Sequence, residues 1–337
     1  MPPLRLSVLD QSPIPEGSTA GDALRNTLDL ARAADRLGYS RYWLAEHHAT
    51  PGLACASPEA IIGPVAAATA NLRVGSGGVM LPHYSPLKVA ETFSMLSGLF
   101  PGRIDLGLGR APGSSQAIAR ALQRDRRLPA PDDFPDQMSE LLDYFDPPKA
   151  GPFPQIPALH FASPEVWLLG SSPQSAIWAA ESGLPYAFAD FINPEGAPFA
   201  EHYRDNFRPS HRLAEPRVAV CAWAICADTE AEALRLSLSA RMMMMLLFRG
   251  VLIPVPPVEK AEEFLAKEEV APQTLPLRRR IIAGNPSQVR AALESVADAY
   301  GAEEVFVVNI LYDHLARVRS YELMASGFEL AENHRRW

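Results

Sequence analysis

The chain is short of cysteine, of clustered positive charge and of long apolar runs. Only three cysteines, Cys55, Cys221 and Cys226, occur in 337 residues. Cys221 and Cys226 share one strand-like run, where their odd separation puts them on opposite faces, out of bridging range. No Cys-x-x-Cys or His/Cys metal spacing occurs, so neither a disulfide framework nor a metal centre is expected. Reduced, buried thiols fit a cytoplasmic protein. No apolar run reaches about 18 residues, and Met1-Pro2-Pro3-Leu4-Arg5 lacks the apolar core of a secretory signal. A membrane partner is therefore not expected. Lys and Arg number 31 against 39 Asp and Glu, a net charge of -8, and that field opposes nucleic acid. The one compact basic run, Arg278-Arg279-Arg280, reads as a solvated face.

What remains is ordinary globular composition, 47% hydrophobic and 21% charged. Residues 1–337 are expected to form a single domain, because α/β barrels routinely reach this length. Apolar strand-like runs cover 4–9, 41–45, 73–80, 103–108, 166–169, 185–189, 217–227 and 304–311. Helical periodicity fills the gaps over 19–37, 60–70, 86–100, 172–181, 194–207, 228–245, 286–300 and 313–326. Asp228 reads as the cap of the helix that carries Met242 to Met245. Eight strands alternating with helices predict a (β/α)8 TIM barrel, with an open doubly wound sheet as the alternative. Two insertions interrupt it. Residues 111–164, after the fourth strand, hold two short helices (115–123 and 133–145) among proline-rich loops. Residues 250–280, after the seventh, are proline-broken and charged, which suggests a mobile lid.

In such a barrel the carboxyl ends of the strands converge on the active site. They offer Asp10-Gln11-Ser12, Glu46-His47-His48, Gly77-Gly78, Gly109-Arg110, Gly170-Ser171-Ser172, Asp190-Phe191 and Asn309. The set contains a possible base, a glycine pair that admits a flat ligand, and an arginine. It also contains a Gly-Ser-Ser turn that opens a helix, and amides at a helix start favour phosphate. A nucleotide-like cofactor is expected. The run Gly107 to Gly113 is not a dinucleotide fingerprint, because its spacing, Pro112 and the missing acidic partner all disagree.

These residues resemble the bacterial luciferase-like flavin monooxygenases over nearly the whole chain. The resemblance rests on Trp43-Leu44-Ala45-Glu46-His47-His48, Val74 to Pro82, Glu91, Pro101-Gly102-Arg103-Ile104 and Gly107-Leu108-Gly109-Arg110. Trp178 to Pro185 and Ile282 to Pro286 extend it, and Ser7 to Pro13 is similar to a subgroup with mostly unassigned substrates. The resemblance implies reduced FMN, usually supplied by a separate reductase, which reacts with O2 to oxygenate a small organic substrate. It implies His47 as catalytic base and Arg110 at the flavin phosphate. Backbone amides of the Gly170-Ser171-Ser172 turn would share that phosphate. A cis peptide at Gly77-Gly78 would lie beneath the flavin ring. Glu46 and His48 would support the site. Two departures stand out: Gly109 replaces the reactive cysteine of light-emitting members, and Ser171 replaces a carboxylate. The first argues against bioluminescence. The same barrel also serves deazaflavin-dependent oxidoreductases and non-catalytic flavin-binding relatives, and both stay open.

Two further expectations concern surfaces. Met242 to Met245 point all round a helix, so core or interface is favoured over substrate contact, with at least one facing solvent or a partner. The helix Ala60 to Ala70 has almost no polar face, and the next helix spreads Val89, Phe93, Met95 and Leu96 over more than one side. A two-fold homodimer burying both helices is expected.

Overall fold

A computed structural model describes residues 3–110, 116–122, 133–146, 163–268 and 280–333. The proline-rich run 147–162, the Ala111-Pro112-Gly113 stretch, Arg278-Arg279 and the 269–279 part of the second insertion lie outside them.

The eight expected strands are present as β1 (Arg5–Asp10), β2 (Arg41–Leu44), β3 (Arg73–Met80), β4 (Ile104–Gly109), β5 (Glu165–Gly170), β6 (Tyr186–Ala189), β7 (Val218–Cys226) and β9 (Glu304–Val308). All neighbours are parallel, and β6 pairs β7 while β9 joins β7 to β1, so the sheet closes into an eight-stranded barrel. A three-residue strand, β8 (Ile282–Gly284), extends the sheet beside the end of β7. It is too short to show a period. The layers follow from strand alternation. Leu9, Trp43, Trp167, Cys221, Trp223 and Phe306 point into the barrel, whereas Val8, Tyr42, Val166, Val220 and Val305 pack outward under the helices.

The barrel is closed at its amino end by charge. Arg41 is buried and bonds Asp105 at 2.7 Å and Glu304 at 3.2 Å, while the Trp43 indole donates to Asp105 at 2.9 Å. Above that floor Trp43 stacks on Phe306 at 3.9 Å and meets Trp167 edge-on at 5.4 Å.

The helices that bear on function are α2 (Pro58–Ala67), α3 (Pro86–Leu99), α6 (Pro173–Ser182), α8 (Glu230–Phe248), α9 (Val258–Lys267), α10 (Pro286–Tyr300) and α11 (His314–Gly327). Pro58 starts α2, where a missing N–H costs nothing. The cap of α8 is Thr229, whose hydroxyl accepts from the Glu232 amide at 3.2 Å, and not Asp228.

The second insertion differs from expectation. Its described part is not a lid without apolar surface: α9 buries Val258, Ala261 and Leu265 against Leu238, Met242 and Met245 of α8. The charged residues between them face outward, so composition concealed an amphipathic helix. The methionines keep to expectation: Met242, Met244 and Met245 are buried in core clusters, and Met243 is half-buried.

Candidate active site

A cavity of about 1070 Å³ opens at the carboxyl ends of the strands. Its wall includes every residue proposed from sequence for the cofactor and the base: His47, Gly77, Gly78, Arg110, Gly170, Ser171 and Ser172. Glu46 and His48 line it as well. These groups come from β2, β3, β4 and β5, successive neighbours in the sheet, and their following loops, so their strand ends lie side by side at one rim of the barrel.

The strand end after β2 is built around Glu46. Its carboxylate is buried; Oε1 meets His48 Nε2 at 2.6 Å, and Oε2 accepts the Met80 amide at 2.9 Å. Glu46 thereby ties β2 to the end of β3 and fixes one ring beside His47. His47 itself is different. Burial pushes its imidazole down to about 4; a hydrogen bond with the Ala45 backbone opposes this, and His48 adds to it. Its Nδ1 is buried with no partner among the described residues. The residue lines the cavity as a neutral imidazole near pH 7, and the depressed value makes it a weaker base than a free imidazole until a ligand changes its surroundings.

On the β3 side the wall is bare backbone. The Gly77–Gly78 peptide is cis. A Cβ on Gly77 would come within 2.5 Å of Leu9 Cδ1, and one on Gly78 within 2.7 Å of the Gly107 carbonyl. Backbone packing demands glycine at Gly78, while at Gly77 the near atom is the end of the flexible Leu9 side chain, and the pair leaves a stretch of wall that a flat molecule can approach closely.

The third corner joins Arg110 to the start of α6. The Arg110 guanidinium lies over the Trp178 ring, 5.5 Å from its centroid. Ser172 caps α6 without using its hydroxyl on the helix, and the Ser172 carbonyl accepts from Ser175 at 2.7 Å. The start of α6 and the Arg110 guanidinium line one cavity, and each is a feature that favours an anion.

Several strand-end polar residues turn away. Asp10 is buried outside the cavity against Arg317 at 2.7 Å, Tyr42 at 2.6 Å and Thr27 at 2.7 Å. Burial alone would raise its carboxyl, but Arg317, Tyr42 and Thr27 outweigh this and hold it below the usual range. Ser12 bonds Thr27, Asp190 takes Arg280 and Tyr300, and Asn309 bonds Ala224 and Ser320. Gln11 does line the cavity. Sequence reasoning missed Met80, Trp178 and Trp223 as cavity-lining residues, and Met243 and Met244, expected in a core or interface, pack in the barrel core cluster and also line the cavity. Among the described residues no group of His, Cys, Asp and Glu could hold a metal, and no helix is long and apolar enough to cross a membrane.

Comparison with known proteins follows this geometry. A family model described as luciferase-like monooxygenase matches residues 4–303. A protein of Escherichia coli K12 named luciferase-like monooxygenase is 44% identical over 323 residues, covering 95% of this chain and 96% of that protein. The N-acetyl-S-alkylcysteine monooxygenase of Bacillus subtilis 168 is 37% identical over 334 residues, covering 96% and 98%. The crystal structure of apo-MsnO8 superposes with a TM-score of 0.88 at 40% identity, covering 98% of this chain and 99% of that one.

Proposed function

The chain belongs to the luciferase-like monooxygenase family, and from that premise we propose that it is an FMN-dependent monooxygenase acting on a small organic substrate. The observation that supports the reading is one cavity lined by a neutral histidine, a glycine pair, an arginine and a helix start. That donor set fits a flat ring with a phosphate tail. Bound reduced flavin supplies the electrons that divide O2 between the substrate and water.

The chain's own residues do the rest. Arg110 and the amides of Ser171 and Ser172 hold the phosphate. Gly77 and Gly78 let the ring approach the backbone. His47, neutral above about pH 4, handles a proton at its imidazole. Glu46 is a positioning residue, because its two oxygens are spent on His48 and the Met80 amide. The apolar remainder of the wall excludes water around the reacting atoms. A separate reductase would supply the reduced flavin.

Anaerobic titration with reduced FMN and with reduced deazaflavin, followed by isotopically labelled O2, tests the reading. FMN binding with label in the organic product is expected. Binding of deazaflavin in place of FMN would make the chain a hydride-transfer oxidoreductase. FMN binding with label recovered only in water or peroxide would make it a flavin-binding protein without oxygenase activity.

A further inference from the structure

We propose that Gln11 reads the polar group of the substrate, and that this group is an amide edge, a carbonyl and an N–H side by side as in a primary carboxamide or a lactam. The inference rests on the flavin reading for the order of the two ligands in the cavity.

The end of β1 clamps this residue from both sides. Asp10 is held by Arg317, Tyr42 and Thr27, and its backbone carbonyl accepts the Ala45 amide at 3.0 Å. Ser12 donates its amide to Asp10 at 2.7 Å, shares a hydrogen bond with Thr27 at 2.8 Å, and its carbonyl accepts the Ala54 amide at 2.9 Å. Ser12 also sits at φ 49°, a left-handed conformation uncommon for serine that these bonds maintain. Between two pinned neighbours, strand parity turns Gln11 inward on the same side as Leu9.

Its flanking residues have spent their side chains, and Gln11 has not. It is 8% exposed, lines the cavity, and its amide bonds none of the described residues. The indole nitrogens of Trp167 and Trp223 are sealed from any ligand, whereas the Gln11 amide atoms keep open surface. Other polar groups nearby are committed: Glu46 to His48 and the Met80 amide, and the Ser175 hydroxyl to the Ser172 carbonyl and Tyr186. Whichever way the Gln11 amide is turned, it offers N–H donors and a carbonyl acceptor in one plane. A carboxamide or lactam matches both. A ketone matches one, and a carboxylate sets oxygen against oxygen. A mismatched ligand leaves a buried polar atom unpaired, and that penalty makes such a site selective.

Position sorts the two ligands. Along the sheet, Arg110 and Ser172 follow β4 and β5, the glycine pair lies on β3, His47 follows β2 and Gln11 follows β1. Gln11 is thus one strand beyond the imidazole, on the side away from the phosphate corner. A substrate held by it lies beside His47 and past the flavin ring.

Hexanamide, 2-heptanone and hexanoate share one shape and test the match by calorimetry, both with saturating FMN and in flavin-free protein. The wild type should prefer hexanamide to hexanoate by at least about 10-fold. Gln11→Leu should weaken hexanamide by about 5- to 150-fold, the range of two neutral hydrogen bonds, and 2-heptanone by about 2- to 12-fold, that of one. Gln11→Glu should bind hexylammonium about 10-fold or more tightly than the wild type does, a gain that requires a folded variant with this side chain at the ligand. Equal losses for amide and ketone in Gln11→Leu, or no preference among the three probes in the wild type, would overturn the inference. A Gln11→Glu protein that gains nothing would place the side chain away from the ligand and overturn it too. So would a loss of FMN affinity in Gln11→Leu as large as the loss of hexanamide, because Gln11 would then read the edge of the cofactor ring. Failure of the wild type to bind FMN would count against the flavin reading alone, since the flavin-free titrations still rank the probes.

Discussion

Replacing His47 tests the site through stability as well as rate. The residue is half-buried on the cavity wall, and the surrounding protein lowers its pKa from 6.5 to about 4. Because the folded value is depressed, the unfolded chain binds the proton first as pH falls. The stability carried by the neutral ring is therefore complete above about 6.5 and is lost as pH falls toward 4. At about 1.4 kcal/mol per tenfold change, that interval corresponds to about 3 kcal/mol. His47→Asn removes the titrating group and leaves the carboxylates and other histidines in place. Urea unfolding of both proteins across pH 4 to 7 gives two stability curves, and their difference should shrink by about 3 kcal/mol over that range. The same variant should slow turnover by about 10²-fold or more while flavin affinity holds. A difference curve that stays flat would show that His47 is solvated, and one that grows toward acid would show that it folds as a cation. Either would remove the neutral base from the site.

Arg110→Ala should weaken FMN by about 1.5–3 kcal/mol and riboflavin far less, since only FMN carries the phosphate; equal losses in a fluorescence titration would place Arg110 elsewhere. We propose a two-fold dimer through α2 and α3, where Ala67, Met95 and Leu99 are exposed, the last two at 59% and 71%. Sedimentation should give twice the chain mass, and Ala67→Glu should shift it to monomer; a dimer indifferent to that charge would refute the interface. Leu265→Ala should cost about 2 kcal/mol or more in unfolding free energy, because it empties the contact between α8 and α9. A neutral result would mean that α9 is only loosely attached.

The barrel was legible because its strands are apolar on both faces and its helices are periodic, so element order could be read almost to the residue. The site was legible as a set of strand ends, but the set was too large. Strand parity explains the excess. Leu9 points inward, so Asp10 faces the helices and Gln11 returns to the cavity; Phe191 lines the cavity while Asp190 turns to Arg280 and Tyr300. The same parity puts Trp223 on the inner face with Cys221 and Ala219, but a run apolar on both sides gives no sign of which face is inner. The docking of α9 was hidden by counting charge over Glu259 to Glu269. Val258, Ala261 and Leu265 keep helical spacing through that charge. β8 has three residues and no pattern to read.

The ion network at the foot of the barrel and the Trp43–Trp167–Phe306 layer above it also govern traffic. Among the described residues they leave no way through the foot of the barrel, so molecules reach the cavity from its carboxyl-end side. A single doorway imposes a queue. What sits deepest must come first and leave last, and an excess of the molecule that belongs nearest the door can occupy the space before the deeper one arrives. High concentrations of substrate should then slow the reaction by blocking its companion, and raising the flavin concentration should restore the rate.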